Sequence, residues 1–516
     1  MNEDVACEGN VATTAAGGQV WQKLLLGDGG TYEVEWDAEA AVTPLGSLVY
    51  FAQYLSAGGL FDRLCSDCPL EYRSANAPGK REVLGTVLLA ILNGQTRYAH
   101  INALRQDRVS AEVMDLKKIA SEDSVRRAFA RGEEAEWDRW LLGHERAVWE
   151  PLLTEPYVLD IDNTVKPLYG HQEGAEKGYN PQKPGRPSHN YHTYFVGSLR
   201  LVLGVEVHGG KQHAACHGTP GLWRLLDGLP PACRPKLLRG DVSYGSEQTM
   251  VEAEKRRQGY LFKLRQTTKV RGQIERLERN REVWSDLGDG WQGTELAMKL
   301  MGWSKARRCV FLRRPAERPK SRPAIPAFTE FDFVQRLSPG DSYEYMVLVT
   351  NTEHTLVALA KLYRERADCE NVFDEIKNQW GWAGFVTQDL RRCRIMARLI
   401  ALVYNWWNIF TRLAQPDRHL EAVTSRPLLL HAVGRLINTA RRKIVRLTST
   451  HAMAERIQLI LSRIGEFFNR LRSVAEQLTQ EDLWAIILSV AFAAWLKGKV
   501  LHPIVAGNQT LLQLSL

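Results

Sequence analysis

Cysteine is scarce in this chain and unevenly placed. Its eight cysteines, at 7, 65, 68, 216, 233, 309, 369 and 393 of 516 residues, show no spacing from which a disulfide framework could be read, and they suit a reducing compartment. Long apolar runs are missing too. The longest, residues 483–496, counts 14, short of the roughly 20 a membrane span needs, and reads as a buried helix. The acidic start, Met1 to Val5, is not followed by the apolar segment of a secretory signal, so a cytoplasmic protein with no membrane partner is expected. Gly (40) and Pro (21) stay near average usage, which excludes collagen-like and low-complexity architecture. With 44% hydrophobic residues the chain can bury real cores, and its length allows three or four units at roughly 100 to 200 residues each.

Positive charge is present, and it is concentrated. Residues 255–325 hold 19 Lys and Arg against 7 Asp and Glu, a net of +12, while the whole chain is +8, leaving the remainder at −4. With Tyr260, Trp291, Trp303 and Phe311 interleaved, this block has the composition of a surface that neutralises phosphates and stacks on bases. An Arg-rich solvated region has the same composition.

Patterning divides the chain. Residues 1–45 are rich in Gly, Ala and acids with weak periodicity, and are expected to be a poorly ordered lead-in; helical patterns follow to about residue 150. One is the apolar helix 83–92, stopped by Asn93-Gly94. Another opens at Ser121 with acids in its first turn and carries Arg126 and Arg127 on its exposed side, as a DNA-reading helix would and as many ordinary amphipathic helices do. Strands are expected at 157–162, 191–199, 201–208, 236–241 and 260–264, with helices at 222–226 and 246–257. This is an α/β layout. Basic, β-leaning sequence leads to a strand at 343–349 and a helix from about Thr355, and the remainder reads as mostly helical.

Acids stand where such a fold could gather them. Asp160 and Asp162 are two apart on the first strand and share a face. Asp241 ends a strand between Gly240 and the turn Tyr244-Gly245. Glu370 belongs to a stretch in which Tyr363, Arg366, Glu370 and Lys377 are spaced to fall on one face of a single helix.

In these residues the sequence resembles the DDE transposases of bacterial insertion sequences, in the branch whose third acid lies in a Tyr-Arg-Glu-Lys signature. Asp162-Asn163-Thr164 matches the family's first acid, Gly240-Asp241 its second and Glu370 its third, within residues 157–407. The resemblance implies an α/β, ribonuclease H-like catalytic core with a β-rich insertion, flanked by helical N- and C-terminal regions. Its boundaries fall at 1–150 (DNA-binding), 151–266 (core), 267–340 (basic insertion), 341–410 (core) and 411–516 (end binding or dimerisation). It also implies cleavage of transposon ends and strand transfer into target DNA, with Asp162, Asp241 and Glu370 holding two Mg²⁺ ions, for which Mn²⁺ substitutes. Periodicity does not choose between Asp160 and Asp162; the Asp-x-Thr match favours Asp162. Tyr363, Arg366 and Lys377 would meet DNA phosphates, Trp291 and Trp303 a displaced base, and Arg126 and Arg127 the N-terminal DNA contact. The partners implied are double-stranded DNA and a second copy of the chain, with residues 483–496 or the helices after Ile395 as the dimer surface.

Two other signals carry less. Cys65 and Cys68 have zinc-like spacing without a second ligand pair, and His189, His192, His208, His213 and His217 read as a polar loop and sheet edge. The rival functions are a metal-dependent endonuclease of the same fold, which would cut without joining, and a transposase-derived DNA-binding protein that no longer cuts.

Overall fold

A computed structural model describes residues 37–501 except 73, 75, 181–182, 212–216, 281, 317–333 and 339–340, together with a strand pair, Gln22–Leu26 and Gly30–Val34, inside the expected lead-in. Cys7, His213 and Cys216 lie outside the described residues. The N-terminal helices include α1 (Leu48–Ala57), α2 (Lys80–Leu92), α3 (Glu122–Phe129) and α4 (Glu134–Trp149). Ser121 caps α3 by accepting from the Ser124 N–H. These helices share one continuous apolar core with the sheet that follows.

Five strands set the frame: β1 (Val158–Pro167), β2 (Pro187–Val196), β3 (Leu201–Gly209), β4 (Leu237–Gly240) and β5 (Tyr260–Lys263). The first three are antiparallel, whereas β4 lies parallel to β1 and β5 parallel to β4, giving the spatial order 3-2-1-4-5. Every residue of β4 and β5 is buried. That is what a parallel strand covered on both faces requires. Helices α5 (Thr219–Asp227) and α6 (Glu247–Lys255) make the crossovers, α6 capped by Ser246.

The segment expected as an insertion does not form a sheet of its own. It starts with α7 (Thr268–Arg279), then β6 (Ser285–Gly288), β7 (Trp291–Met298), β8 (Arg307–Pro315) and β9 (Asp341–Thr350) form an antiparallel run. Because β9 pairs with β5, these strands extend the central sheet to eleven in all, counting short additions at Glu176–Lys177 and Val334–Ser338.

Helix α8 (Leu356–Arg364) is capped by Thr355 and followed by α9 (Ala367–Gln379) and α10 (Leu390–Ala414). The last is the spine of the molecule. Asn405 exchanges two hydrogen bonds with the Val202 backbone (2.9 and 2.8 Å), and Asn408 donates to the Arg200 carbonyl (2.8 Å), which fixes α10 across β3. On its other side, Arg398 pairs with Glu145 and Asp138 of α4, and Trp407 and Phe410 pack on Phe51 of α1.

The C-terminal region is not all helix. After α11 (Ala422–Leu429), β10 (Gly434–Asn438) and β11 (Lys443–Leu447) form a hairpin that takes Val42–Thr43 as a third strand. Then come α12 (Ala454–Val474) and α13 (Gln480–Ala491). Much of the apolar run 483–496 is buried within the chain: Trp484 donates to the Ala147 carbonyl and packs on Tyr54, and Trp495 donates to Leu152. Helix α10 packs on β3, α4 and α13, and most of 483–496 is buried within the chain. No helix among the described residues is long and apolar enough to cross a membrane.

Candidate acidic site

Parallel pairing of β1 with β4 puts Ile161 beside Gly240, so the next residues along, Asp162 and Asp241, stand side by side at the same level of the sheet. At Asp241 the chain leaves β4 in a turn, with the Ser243 N–H donating to its carboxylate (2.9 Å). Only glycine fits four residues later, because a Cβ on Gly245 would lie 2.4 Å from the Lys263 carbonyl oxygen of β5. The turn is thereby pressed against the neighbouring strand.

Glu370 arrives from the helical side. It stands in the first turn of α9, where the helix N-terminus favours its negative charge. Arg366, the residue that opens α9, is buried and donates to both sides: Nη2 lies 2.9 Å from Asp162 Oδ2 and Nη1 lies 2.7 Å from Glu370 Oε1. One guanidinium thus draws the β1 acid and the α9 acid together. Burial pushes the Asp162 carboxyl up to about 7 against the pull of Arg366, and the charges of Asp241 and Glu370 add to that rise. Burial works against the Arg366 charge, yet Asp162, Asp241 and Glu370 hold its pKa well above the ordinary value. Among the described residues, no three acidic, His or Cys side chains are gathered closely enough to hold a metal ion as they stand.

Asp160 has different work. Arg239 grips it by two bonds, Nε to Oδ1 at 2.5 Å and Nη2 to Oδ2 at 2.8 Å, with the two side chains 2% and 6% exposed, and Arg239 also donates to the Leu362 carbonyl. Both carboxylate oxygens are used, so Asp160 fastens β1 to β4 and to the end of α8. Sequence reading missed Arg239. The signal was available: Arg239 and Asp241 are two apart on a strand, and parallel pairing sets Arg239 opposite Asp160.

The other expected contacts divide sharply. The four-residue stripe on one helix is corrected, because the chain breaks between α8 and α9. Tyr363 ends up 2% exposed among Leu237, Leu261 and Leu359, out of reach of a phosphate. Arg366 is likewise committed to the acids. Lys377, two turns beyond Glu370, is half-buried, makes no ion pair among the described residues, and has its pKa lowered by burial. Trp291 and Trp303 are core side chains, 7% and 8% exposed, with Arg314 and Arg307 over their rings, so neither ring is open to a base. Arg126 bonds Glu122 and Asp123, while Arg127 is exposed with Asp123 at 3.6 Å.

The basic block is neutralised in part by carboxylates of the same chain, while Arg257, Arg265, Arg276 and Arg279 are exposed without an ion pair among the described residues. Arg307 pairs with Glu247 and Glu254, Arg308 with Glu295, Arg313 with Glu278, Arg314 with Glu344, and Arg256 with Asp227 and Glu252. Burial pushes the thiols of Cys65 and Cys68 up to about 12 and 11, which disfavours the thiolates that zinc would need. His192, His208 and His217 form a chain of ring contacts, and His189 bonds the Glu173 carbonyl.

The profile of the family described as Transposase DDE domain group 1 matches residues 48–468. The chain belongs to that DDE transposase family. No curated protein matches it. Among solved structures, the DDE transposase chain is similar to a piggyBac transposase in a synaptic complex with hairpin DNA, at 10% identity and a TM-score of 0.38 over 86% of each chain.

Proposed function

We propose that this DDE transposase cuts DNA at the ends of a mobile element and joins the freed ends to a target, with Asp162, Asp241 and Glu370 as its acidic set. The observation that carries the reading is the convergence of those acids: two on neighbouring strand ends, and a third brought to the first by Arg366. The strand order 3-2-1-4-5 with a helix carrying the third acid supports reading the core as ribonuclease H-like, and the order of acids supports the Tyr-Arg-Glu-Lys branch, although its Tyr serves the core here.

The donor set fits a hard divalent cation, since it consists of carboxylate oxygens, with Asp162 raised by burial and further by the charges of Asp241 and Glu370. Mg²⁺, or Mn²⁺ in its place, held by Asp162, Asp241 and Glu370 would neutralise charge on the entering and leaving oxygens of an in-line phosphoryl displacement. Arg366 opposes the burial-driven rise of the Asp162 pKa and holds its carboxyl toward Glu370. Lys377, on the same helix as Glu370, supplies a cation for the phosphate flanking the scissile bond. Asp160 and Arg239 hold the strands in register. Two copies of the chain would bring two ends together.

The test is a supercoiled-plasmid excision assay in Mg²⁺, followed by joining of pre-cleaved ends to a target. Asp241→Asn and Glu370→Gln are expected to lower cleavage by about 10³-fold or more, in line with the weight of electrostatic stabilisation in such sites. Cleavage at the wild-type rate by either variant would refute the acid assignment. Cutting without joining would indicate a nuclease of the same fold.

A further inference from the structure

The C-terminal hairpin, where the sequence reads as helical, carries a concentration of positive charge. Residues 422–454 contain no acid at all, and Arg435, Arg441, Arg442, Lys443 and Arg446 all fall on β10, β11 and their turn. All five side chains are exposed. Lys443 reaches Glu112; the four arginines make no ion pair among the described residues. In the basic block of 255–325, by comparison, Arg256, Arg307, Arg308, Arg313 and Arg314 are each matched by carboxylates.

The register sharpens this. Arg435 sits directly opposite Arg446 and Asn438 opposite Lys443. Like charges directly opposed across an antiparallel pair destabilise it, and no ion pair among the described residues relieves Arg435 or Arg446. One face of the hairpin, with Leu436 buried and Leu447 half-buried, packs on the body of the protein. Alternation then sends Arg435, Ile437, Ile444 and Arg446 to the outer face, with Ile444 41% exposed. Arg441 and Arg442 form the tip, in a turn closed by the Thr439 N–H on the Arg442 carbonyl.

The hairpin is also tied to the acidic site. Glu375, on α9 five residues past Glu370, accepts from His419 (2.8 Å) and from the Ala422 N–H (3.0 Å). Gln379 accepts from the Val423 N–H, and Arg426 donates to the Gln379 carbonyl (both 2.8 Å). These bonds lock α11 to α9, and β10 follows α11 directly.

We propose that the β10–β11 ribbon is a DNA-binding arm that lays its outer face into the major groove of a duplex, at a distance from the cut set by α9. The proposal rests on reading the chain as a DNA transposase. Beyond Arg435, where Val42–Thr43 no longer pairs with β10, the ribbon narrows to two strands about 4.8 Å apart, which match a groove about 12 Å wide and not one of about 6 Å. Arg435, Arg446 and the tip arginines take phosphates on the groove walls, which relieves the like-charge pair, while Ile437 and Ile444 face base edges.

The experiment is full-length protein titrated against a DNA duplex and an RNA duplex of the same sequence across a salt series, wild type beside Arg441→Ala/Arg442→Ala/Arg446→Ala. Each lost phosphate contact flattens the slope of log affinity against log salt by about 0.9, so a change of about 2.7 is expected. DNA should bind more tightly than RNA, whose major groove is too deep and narrow to admit the ribbon, and the triple variant should narrow that gap. Arg435→Ala alone should melt no lower than wild type, because it removes a repulsion. A triple variant with the wild-type slope, or equal binding of the RNA duplex, would overturn the arm while leaving the transposase reading intact. A wild-type protein that binds no duplex at all would overturn both, and the cleavage assay with Asp241→Asn reports on the reading separately.

Discussion

Arg366 holds Asp162 and Glu370 at once, at 2.9 and 2.7 Å, from a position only 5% exposed. Among the described residues it is the side chain that forms ion pairs with both the sheet acid and the helix acid. Removing one partner of a buried ion network typically costs about 3–5 kcal/mol because the charges left behind are uncompensated. Arg366→Met should therefore lower the melting temperature clearly in the absence of divalent ions. Mg²⁺ should restore more stability to this variant than it adds to wild type, since the ion neutralises the same oxygens. Thermal unfolding in a Mg²⁺ titration checks this; a variant that melts like wild type without metal would contradict it.

Asp162 has a pH signature of known sign. Its folded pKa, about 7, lies above the ordinary 3.8, so the folded state holds this proton more tightly than the unfolded chain. The contribution to stability is fully present below about pH 4, declines as pH rises, and is gone once pH passes about 7. Asp162→Asn should abolish this slope, so its stability relative to wild type should rise between pH 5 and pH 8. Urea unfolding of both proteins at pH 5 and pH 8 without divalent ions is the measurement. An Asn variant whose stability relative to wild type does not rise from pH 5 to pH 8 would contradict the burial argument.

The two first-strand acids should separate in a single pair of mutants. Asp160 is saturated by Arg239 in a fully buried clamp, so Asp160→Asn leaves a buried guanidinium short of its charge partner and should cost about 3 kcal/mol or more. Asp162→Asn should leave the fold intact and abolish cleavage. Replacing the clamp by Asp160→Leu with Arg239→Met should recover much of the lost stability, as apolar replacement of buried pairs often does. Melting temperatures beside cleavage rates decide it. The assignment fails if Asp160→Asn folds normally and does not cut.

Local rules made part of this legible. The caps at Ser121, Ser246 and Thr355 follow from hydroxyl side chains ahead of helical patterns, and the strand-end placing of Asp162 and Asp241 follows from period-2 alternation closed by Gly240-Asp241. Long-range pairing hid the rest. Nothing local breaks the helix between α8 and α9: Arg364, Glu365 and Arg366 are good helix formers, and the break coincides with Arg239 binding the Leu362 carbonyl and Arg366 turning to Asp162. The basic block looked open because several of its partner acids, Asp227, Glu247, Glu252, Glu254 and Glu344, lie outside it in sequence. The hairpin Gly434–Leu447 lay between helical patterns, and its strand character depends on pairing with Val42–Thr43, nearly 400 residues earlier.

The buried tryptophans of the basic segment should behave as core. Trp291 and Trp303 are each under 10% exposed with an arginine over the ring, and truncating a buried aromatic costs about 3–5 kcal/mol. Trp303→Ala is expected to lower the melting temperature, while the fraction that stays folded binds a DNA duplex with unchanged affinity. Weakened binding at full thermal stability would return Trp303 to the DNA surface.

Lys377 is the cation on α9 that the fold leaves without a countercharge. Burial lowers its pKa, only Asp374 offsets that, and no ion pair forms among the described residues, so the lysine does little for the fold as it stands. A DNA phosphate would supply the missing partner, and a lysine held as a point charge needs no exact angle to use it. Lys377→Gln should melt at or slightly above the wild-type temperature, bind duplex DNA with a salt slope flatter by about 0.9, and cleave about tenfold more slowly. Lys377→Arg should keep the slope. If Lys377→Gln instead lowers the melting temperature and leaves the salt slope unchanged, the side chain serves packing, and the phosphate beside the cut must be held by another cation.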